Sequence, residues 1–145
     1  MKLVLQRVAR ASVSVEGEII ASISRGLLIL FGAEKGDDPD KVSFLSDKAL
    51  RLRIFPDDQG KMNLSCIDVS GEVLVVSQFT LAGDCAKGRR PGFDNAAKPE
   101  QAELFYKQFL EKVSESGLTV QGGRFGADMQ VELVNDGPVT FLLER

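Results

Sequence analysis

The spacing of apolar and polar residues predicts strands along much of the chain. Residues 2–9 and 12–15 have strand-like patterns, and Glu16-Gly17 provides a turn into a third strand at 18–23. The apolar run 27–31 does not alternate, which is typical of a strand covered on both faces. Further strands are predicted at 73–78, 119–122, 129–134 and 139–143.

Two other segments have helical spacing. Asp37-Asp38-Pro39 indicates a helix start, and the apolar residues that follow at helical spacing are Val42, Leu45, Ala49 and Leu52. Pro99 opens a second helix and Gly117 ends it. The second helix has one apolar stripe, which indicates core packing and not a cofactor site: Ala102, Phe105, Tyr106, Phe109, Leu110 and Val113. The segment from Pro56 to Gly60 predicts a turn.

About eight strands and two helices predict an α+β fold, a barrel-like and mostly antiparallel sheet structure with two covering helices. A length of 145 residues fits one domain with an ordinary core. No repeat and no tract rich in Ser, Gly and Pro marks a linker. Residues 1–145 are therefore expected to form a single domain.

The chain contains no histidine. This excludes Ser-His-Asp and Cys-His machinery and a His-ligated zinc, so any hydrolysis must rest on hydroxyls, backbone dipoles, carboxylates or the substrate itself. Cys66 and Cys85 lack the paired spacing of a metal site and are too few for a disulfide framework. We expect both cysteines to be reduced, and neither a metal nor another cofactor is predicted.

The net charge of −3 lacks the basic excess of a generic nucleic-acid binder. One segment is different, because residues 83–98 carry four cations, Lys87, Arg89, Arg90 and Lys98, against Asp84 and Asp94. Such a loop either contacts a few phosphates or is simply a solvated loop. The first residues do not form a secretory segment, and the apolar stretch 26–33 is far shorter than the roughly 20 residues of a membrane span. A soluble, cytoplasmic protein without membrane contact is expected.

Two short motifs carry more specific information. One is Ser77-Gln78-Phe79-Thr80-Leu81 at the end of an apolar strand, and the other is the segment Asn135-Asp136-Gly137-Pro138-Val139-Thr140. Together with Gln6-Arg7-Val8 and the segment 123–129, Gly-Arg-Phe-Gly-Ala-Asp-Met, they resemble the D-aminoacyl-tRNA deacylase family in order and spacing, from end to end of the chain.

The resemblance implies a homodimer that cleaves the ester between a D-amino acid and the terminal adenosine of tRNA. In this family the corresponding residues Ser77, Gln78, Phe79 and Thr80 line the active site, at the dimer interface. Gly137 and Pro138 resemble a Gly-cisPro element that each subunit inserts into the other's pocket to reject L-aminoacyl substrates, and Arg7 matches an arginine that helps to hold it. Phe125 and Met129 match positions that cradle the adenine. Lys87, Arg89 and Arg90 are then candidates for contact with tRNA.

Elementary chemistry leaves the nucleophile open. An aminoacyl ester is already activated, so its hydrolysis needs orientation, a site for the oxyanion and an oriented water. Thr80 has no His-like base beside it in this sequence, which favours water assisted by the substrate's ribose hydroxyl. Two alternatives remain: a non-catalytic module that binds the tRNA end, and a small-ester hydrolase with Thr80 or Ser77 as nucleophile.

Overall fold

The structure is a computed structural model that describes residues 1–145. Its eight strands and two α-helices are β1 (Lys2–Val15), β2 (Glu18–Ile23), β3 (Gly26–Gly32), α1 (Pro39–Arg51), β4 (Phe55–Pro56), β5 (Met62–Leu64), β6 (Glu72–Ser77), α2 (Pro99–Ser114), β7 (Val120–Gly122) and β8 (Gln130–Glu144). A 3-10 turn, Phe79–Ala82, follows β6. Neither helix is long and apolar enough to span a membrane.

The main sheet has the order β2-β1-β3-β6-β7, and β8 pairs with the free side of β1. β1 is antiparallel to β2, β3 and β8, whereas β3, β6 and β7 run parallel. The two ends of the sheet approach each other, because the Ser22 amide on β2 donates to Gln121 Oε1 on β7 over 2.8 Å. The α+β, barrel-like prediction is confirmed, and the sheet is mixed with mainly antiparallel pairings.

Two of the predicted strand pairs are single long strands. Segments 2–9 and 12–15 belong to β1, and segments 129–134 and 139–143 belong to β8. β8 looks interrupted in the sequence because residues 136–139 form a bulge, in which Gln6 pairs with Thr140 and Val8 with Asn135. The predicted turn between Pro56 and Gly60 lies in the connection between β4 and β5, two short strands that the sequence did not indicate.

The sheet is buried on both faces. Helices α1 and α2 cover one face, and the larger core cluster combines their apolar stripes with residues such as Leu27 and Ile29. Leu28, which points the other way, packs in a second cluster inside the barrel. This alternation confirms that the run 27–31 is covered on both faces.

Both helices start where the sequence predicts, at Pro39 and Pro99. Asp38 caps α1, since its Oδ1 accepts the Lys41 amide over 2.9 Å, and Pro39 occupies the first turn. Neither cysteine forms a disulfide. Burial raises the pKa of the Cys66 thiol to about 12, so this side chain is an inert part of the core at neutral pH.

Candidate functional site

The Ser-Gln-Phe-Thr motif lies where β6 leaves the sheet. The Gln78 amide still donates to the carbonyl of Phe31 on β3 over 2.7 Å, and the Leu81 amide donates to the Gln78 carbonyl over 3.2 Å. None of the hydrogen bonds of turns, loops and side chains uses the amides of Phe79 or Thr80. The first amides of a helical turn have no partner within the turn, so these two N–H groups are donors for a ligand.

The Thr80 hydroxyl is not paired with a base. Gln78 Nε2 donates to Thr80 Oγ1 over 2.6 Å, and both side chains lie at the surface of the motif. An amide group does not take a proton at neutral pH, so this contact orients the hydroxyl without activating it as a nucleophile.

An apolar cavity of about 410 Å³ opens beside the motif. It is lined by Ser77, Phe79, Ala97, Pro99, Ala102, Phe125, Gly126, Ala127 and Met129. Four of the residues expected at the site therefore meet in one cavity: Ser77, Phe79, Phe125 and Met129. The other lining residues are small or cyclic, and they give the cavity its room. Gly126 and Ala127 lie in the motif segment 123–129, whereas Ala97, Pro99 and Ala102 were not expected at the site, because small or cyclic side chains carry no chemical signal.

A buried tyrosine fixes two walls of this cavity. The Tyr106 hydroxyl lies 2.9 Å from the carbonyl oxygen of Val75, on β6, and 3.0 Å from that of Gly123, ahead of Phe125. Burial raises the pKa of Tyr106 to about 12, so the hydroxyl stays a donor at neutral pH. Gly123 packs closely against Met129, since an added Cβ would lie 2.7 Å from Met129 Sδ and would displace that side chain. The Ser77 strand and the Phe125 segment are thus joined through α2.

The Gly-Pro segment forms an exposed projection on β8. The Gly137-Pro138 peptide bond is cis and both residues are exposed. Behind it, Arg7 is only 8% exposed: its Nε donates to the Asp136 carbonyl over 3.0 Å and its Nη1 to the Ile54 carbonyl over 2.6 Å. An added Cβ on Gly137 would lie 2.8 Å from Arg7 Nη2, and the φ of +132° is strained for other residues. Arg7 therefore bonds to the residue that precedes Gly137, and its role in holding Gly137-Pro138 stays a prediction.

Asn135 and Thr140 close the base of this bulge. Asn135 Nδ2 donates to Thr140 Oγ1 over 2.9 Å, and Asn135 Oδ1 accepts the Val139 amide over 2.8 Å. The first and last residues of the motif are thereby tied across the four residues that bulge out. The sequence marked this segment as a motif but did not indicate the individual role of Asn135.

The expected site residues do not all come together in one chain. Arg7, Gly137 and Pro138 do not line the apolar cavity. Lys87 and Arg90 line a separate polar cavity of about 340 Å³ with Asp84, Gly92, Asp94 and Asn95, and Arg89 is exposed on the same loop. The loop is joined to the motif by the rings of Phe79 and Phe93, whose centroids lie 5.1 Å apart.

The D-Tyr-tRNA(Tyr) deacylase family matches residues 4–144. Proteins named D-aminoacyl-tRNA deacylase are similar over full length: that of Pelobacter propionicus is 59% identical over 100% of both chains, and that of Geotalea daltonii is 58% identical over 99% of this chain and 96% of its own.

Two solved structures are also similar to this chain over almost its full length. One described as c-Myc DNA Unwinding Element Binding Protein has a TM-score of 0.94 and 46% identity, and covers 100% of this chain and 99% of its own. A probable eukaryotic D-amino acid tRNA deacylase has a TM-score of 0.84 at 17% identity, covers 98% and 97%, and shows the common fold. The motifs, their placement and the full-length similarity lead to one conclusion: this chain belongs to the D-Tyr-tRNA(Tyr) deacylase family.

Proposed function

We propose that this protein hydrolyses the ester bond of D-aminoacyl-tRNA and releases free tRNA and the free D-amino acid. The observation that carries the proposal is the pair of unused amides of Phe79 and Thr80 at the end of β6, where Ser77 and Phe79 line the apolar cavity. The relatives that are similar over full length carry the same activity in their names. The substrate is found in the cytoplasm, which is where we place the reaction.

The two amides are suited to the carbonyl oxygen of the ester. When water adds to the carbonyl carbon, negative charge develops on this oxygen, and fixed N–H donors stabilise it more in the transition state than in the substrate. The ester C–O bond then breaks, and the ribose oxygen leaves with a proton from the attacking water. Thr80 has no base as a partner, so water is the nucleophile and the neighbouring ribose hydroxyl assists it.

The apolar cavity fits the terminal adenosine. Phe125 is half-buried on one wall, Met129 lies on the same side, and small residues such as Ala102 leave the middle open. An aromatic ring and a thioether offer a flat, polarisable surface to a purine. The exposed cations Lys87, Arg89 and Arg90 lie on the neighbouring loop and contact the phosphates of the acceptor end.

Selection for the D-configuration comes from a second copy of the chain. Gly137 and Pro138 are exposed, and they do not line the cavity of their own subunit. Phe141 and Leu142 on the same strand leave 39% and 57% of their surfaces exposed, on opposite faces of β8, and a second copy of the chain would cover part of this apolar surface. In a two-fold symmetric homodimer, each subunit inserts Gly137-Pro138 into the cavity of the other. The Gly-Pro backbone then rejects an L-side chain by steric clash.

This arrangement has a direct consequence for glycine. A site that gripped the D-side chain would lose only about 1–3 kcal/mol with a missing methyl group. A site that works by clash has nothing to reject in glycine, which has no side chain. Glycyl-tRNA is therefore expected to be a substrate, whereas L-alanyl-tRNA is not.

The test is hydrolysis of matched D-alanyl-, glycyl- and L-alanyl-tRNA by the purified protein. We expect the first two to be cleaved and the third to survive. Binding of tRNA without any turnover would make the protein a tRNA-end binding module. Cleavage of simple D-amino-acid esters through an acyl-enzyme would make it a small-ester hydrolase. Resistance of glycyl-tRNA alone would leave the deacylase activity and refute selection by clash, and a monomer at assay concentration would refute the shared site.

A further inference from the structure

Two exposed aromatic rings pack against each other, one from the apolar cavity and one from the loop that forms the polar cavity. Phe79 and Phe93 are 58% and 39% exposed, and their rings are tilted by 55°. Phe79 lines the apolar cavity, and Phe93 lies between Gly92 and Asp94, which line the polar one. Exposed rings next to basic residues are typical of surfaces that bind single-stranded nucleic acid by stacking.

The backbone around Phe93 is tied to the rest of the fold. Asp84 and Gly92 exchange two backbone hydrogen bonds of 2.7 and 2.9 Å. Two residues after Phe93 in the chain, the Asn95 carbonyl accepts the Lys35 amide over 2.9 Å. The loop that carries Phe93 and lines the polar cavity is therefore held in place by backbone hydrogen bonds.

The charges of the polar cavity balance, so they do not favour a simple anion. Lys87 and Arg90 share it with Asp84 and Asp94, and none of the ion pairs in the structure includes any of these four residues. The two carboxylates offset the attraction of the two cations for a phosphate alone. A cytidine nucleotide has both kinds of group, because its exocyclic amine donates to Asp or Glu and its phosphate attracts Lys and Arg.

We infer that the Phe79–Phe93 pair and the polar cavity form a second nucleotide subsite, for the cytidine that precedes the terminal adenosine in tRNA. The cytosine ring stacks on the exposed phenylalanine rings, its amine donates to Asp94, and its phosphate lies between Lys87 and Arg90. This inference rests on the proposed function, which places the terminal adenosine in the apolar cavity on the other side of Phe79.

Three small substrates test the subsite: D-alanyl esters of adenosine, of cytidylyl-adenosine and of uridylyl-adenosine. We expect kcat/KM for the cytidine dinucleotide to exceed that for adenosine at least about fivefold, as stacking of one base implies. It should also exceed that for the uridine dinucleotide at least about fivefold, because uracil has no amine to offer Asp94. D-alanyl-tRNA is measured in parallel.

Substitutions of Phe93 and Asp94 test the stacking contact and the hydrogen bond to the cytosine amine separately. Phe93→Leu should lower kcat/KM for both dinucleotide esters to the value for the adenosine ester and leave the latter unchanged. Phe93→Tyr should keep the higher kcat/KM of the dinucleotides. Asp94→Ala should remove only the preference for cytidine over uridine. Phe44→Leu is the matched control, because Phe44 is 46% exposed on α1 and contacts Arg145.

The outcomes distinguish the two proposals. Equal kcat/KM for all three esters in the wild type, or an unchanged dinucleotide advantage in Phe93→Leu, refutes the subsite while cleavage of D-alanyl-tRNA still supports the deacylase. A loss on the adenosine ester as large as that on the dinucleotides shows that Phe93 supports the fold of the active site and also refutes the subsite. No cleavage of D-alanyl-tRNA by the wild type refutes the proposed function itself.

Discussion

Replacing Arg7 by lysine should loosen the Gly-Pro projection without removing its charge. Arg7 uses two different nitrogens, since Nε donates to the Asp136 carbonyl and Nη1 to the Ile54 carbonyl. It also lies 3.2 Å from the Asp136 carboxylate. A lysine ammonium is a single point of charge on a flexible chain, so it can replace at most one of the two carbonyl contacts.

The size of the effect follows from the contact that is lost. A hydrogen bond to a charged group contributes about 1.5–3 kcal/mol, and the carbonyl of Ile54 is left without its donor in a residue that is 2% exposed. We expect the free energy of unfolding to fall by about 2 kcal/mol. In the proposed dimer, the same loosening should raise the ratio of L-alanyl- to D-alanyl-tRNA hydrolysis about tenfold, which corresponds to about 1.4 kcal/mol.

Urea unfolding and the two hydrolysis rates measure these effects. Arg10→Lys is the matched control, because Arg10 is an exposed residue of β1. Asp136→Asn removes only the half-exposed ion pair and should cost at most about 1 kcal/mol. If Arg7→Lys matches Arg10→Lys both in stability and in the ratio of rates, the Arg7 contacts do not position the projection.

Three further results are expected. Thr80→Ala should keep substantial activity, because the hydroxyl has no base as a partner; acyl-Thr80 detected by mass spectrometry would contradict this. Replacing Lys87, Arg89 and Arg90 together by Ala should weaken tRNA binding and lower its salt slope by about 0.7–0.9 per lost phosphate contact; an unchanged slope would show a merely solvated loop. Burial raises the pKa of Cys66 from 9.0 and of Tyr106 from 10.0 to about 12 in each case, so the unfolded chain releases these protons first as the pH rises. The free energy of unfolding should therefore fall from pH 9 to pH 12, by up to about 1.4 kcal/mol per pH unit and group, and Cys66→Ala should flatten the curve; no decline between pH 9 and 11 would refute it.

Local patterns were sufficient for most elements of the fold but not for their continuity. The first-turn prolines and the apolar spacing of α1 and α2 are local signals, and the structure confirms both helices. β8 was divided in two because a Gly-Pro pair usually ends a strand, whereas the pairing of Gln6 with Thr140 and of Val8 with Asn135 continues on both sides of the bulge. That continuation depends on β1, more than 100 residues away in sequence, and no local pattern contains it.

The site was predictable where side chains have distinctive chemistry. Ser77, Phe79, Phe125 and Met129, which the family resemblance marked, line one cavity, whereas Gln78 and Thr80 do not line it, and the roles of all six stay predictions. The cavity itself exists because Ala97 and Ala102 are small, and an alanine in a helical stripe is indistinguishable from ordinary packing. The contact of the Tyr106 hydroxyl with two walls of the cavity could not be predicted either. Its two carbonyl partners lie 31 and 17 residues away in sequence, and a backbone carbonyl has no sequence signature.

A backbone wall is a suitable chiral filter because its rigidity comes from elsewhere in the fold. Discrimination against an abundant competitor requires a penalty that the competitor cannot escape by displacing a side chain. Gly137 and Pro138 have no flexible side chain to displace, and the contacts behind them come from Arg7 and Asn135, which need not touch the substrate. In the proposed dimer, the energy that opposes an L-side chain would be the energy of deforming β1 and β8 together. A filter of this kind is indifferent to the identity of the D-side chain, so one cavity can serve many D-aminoacyl substrates.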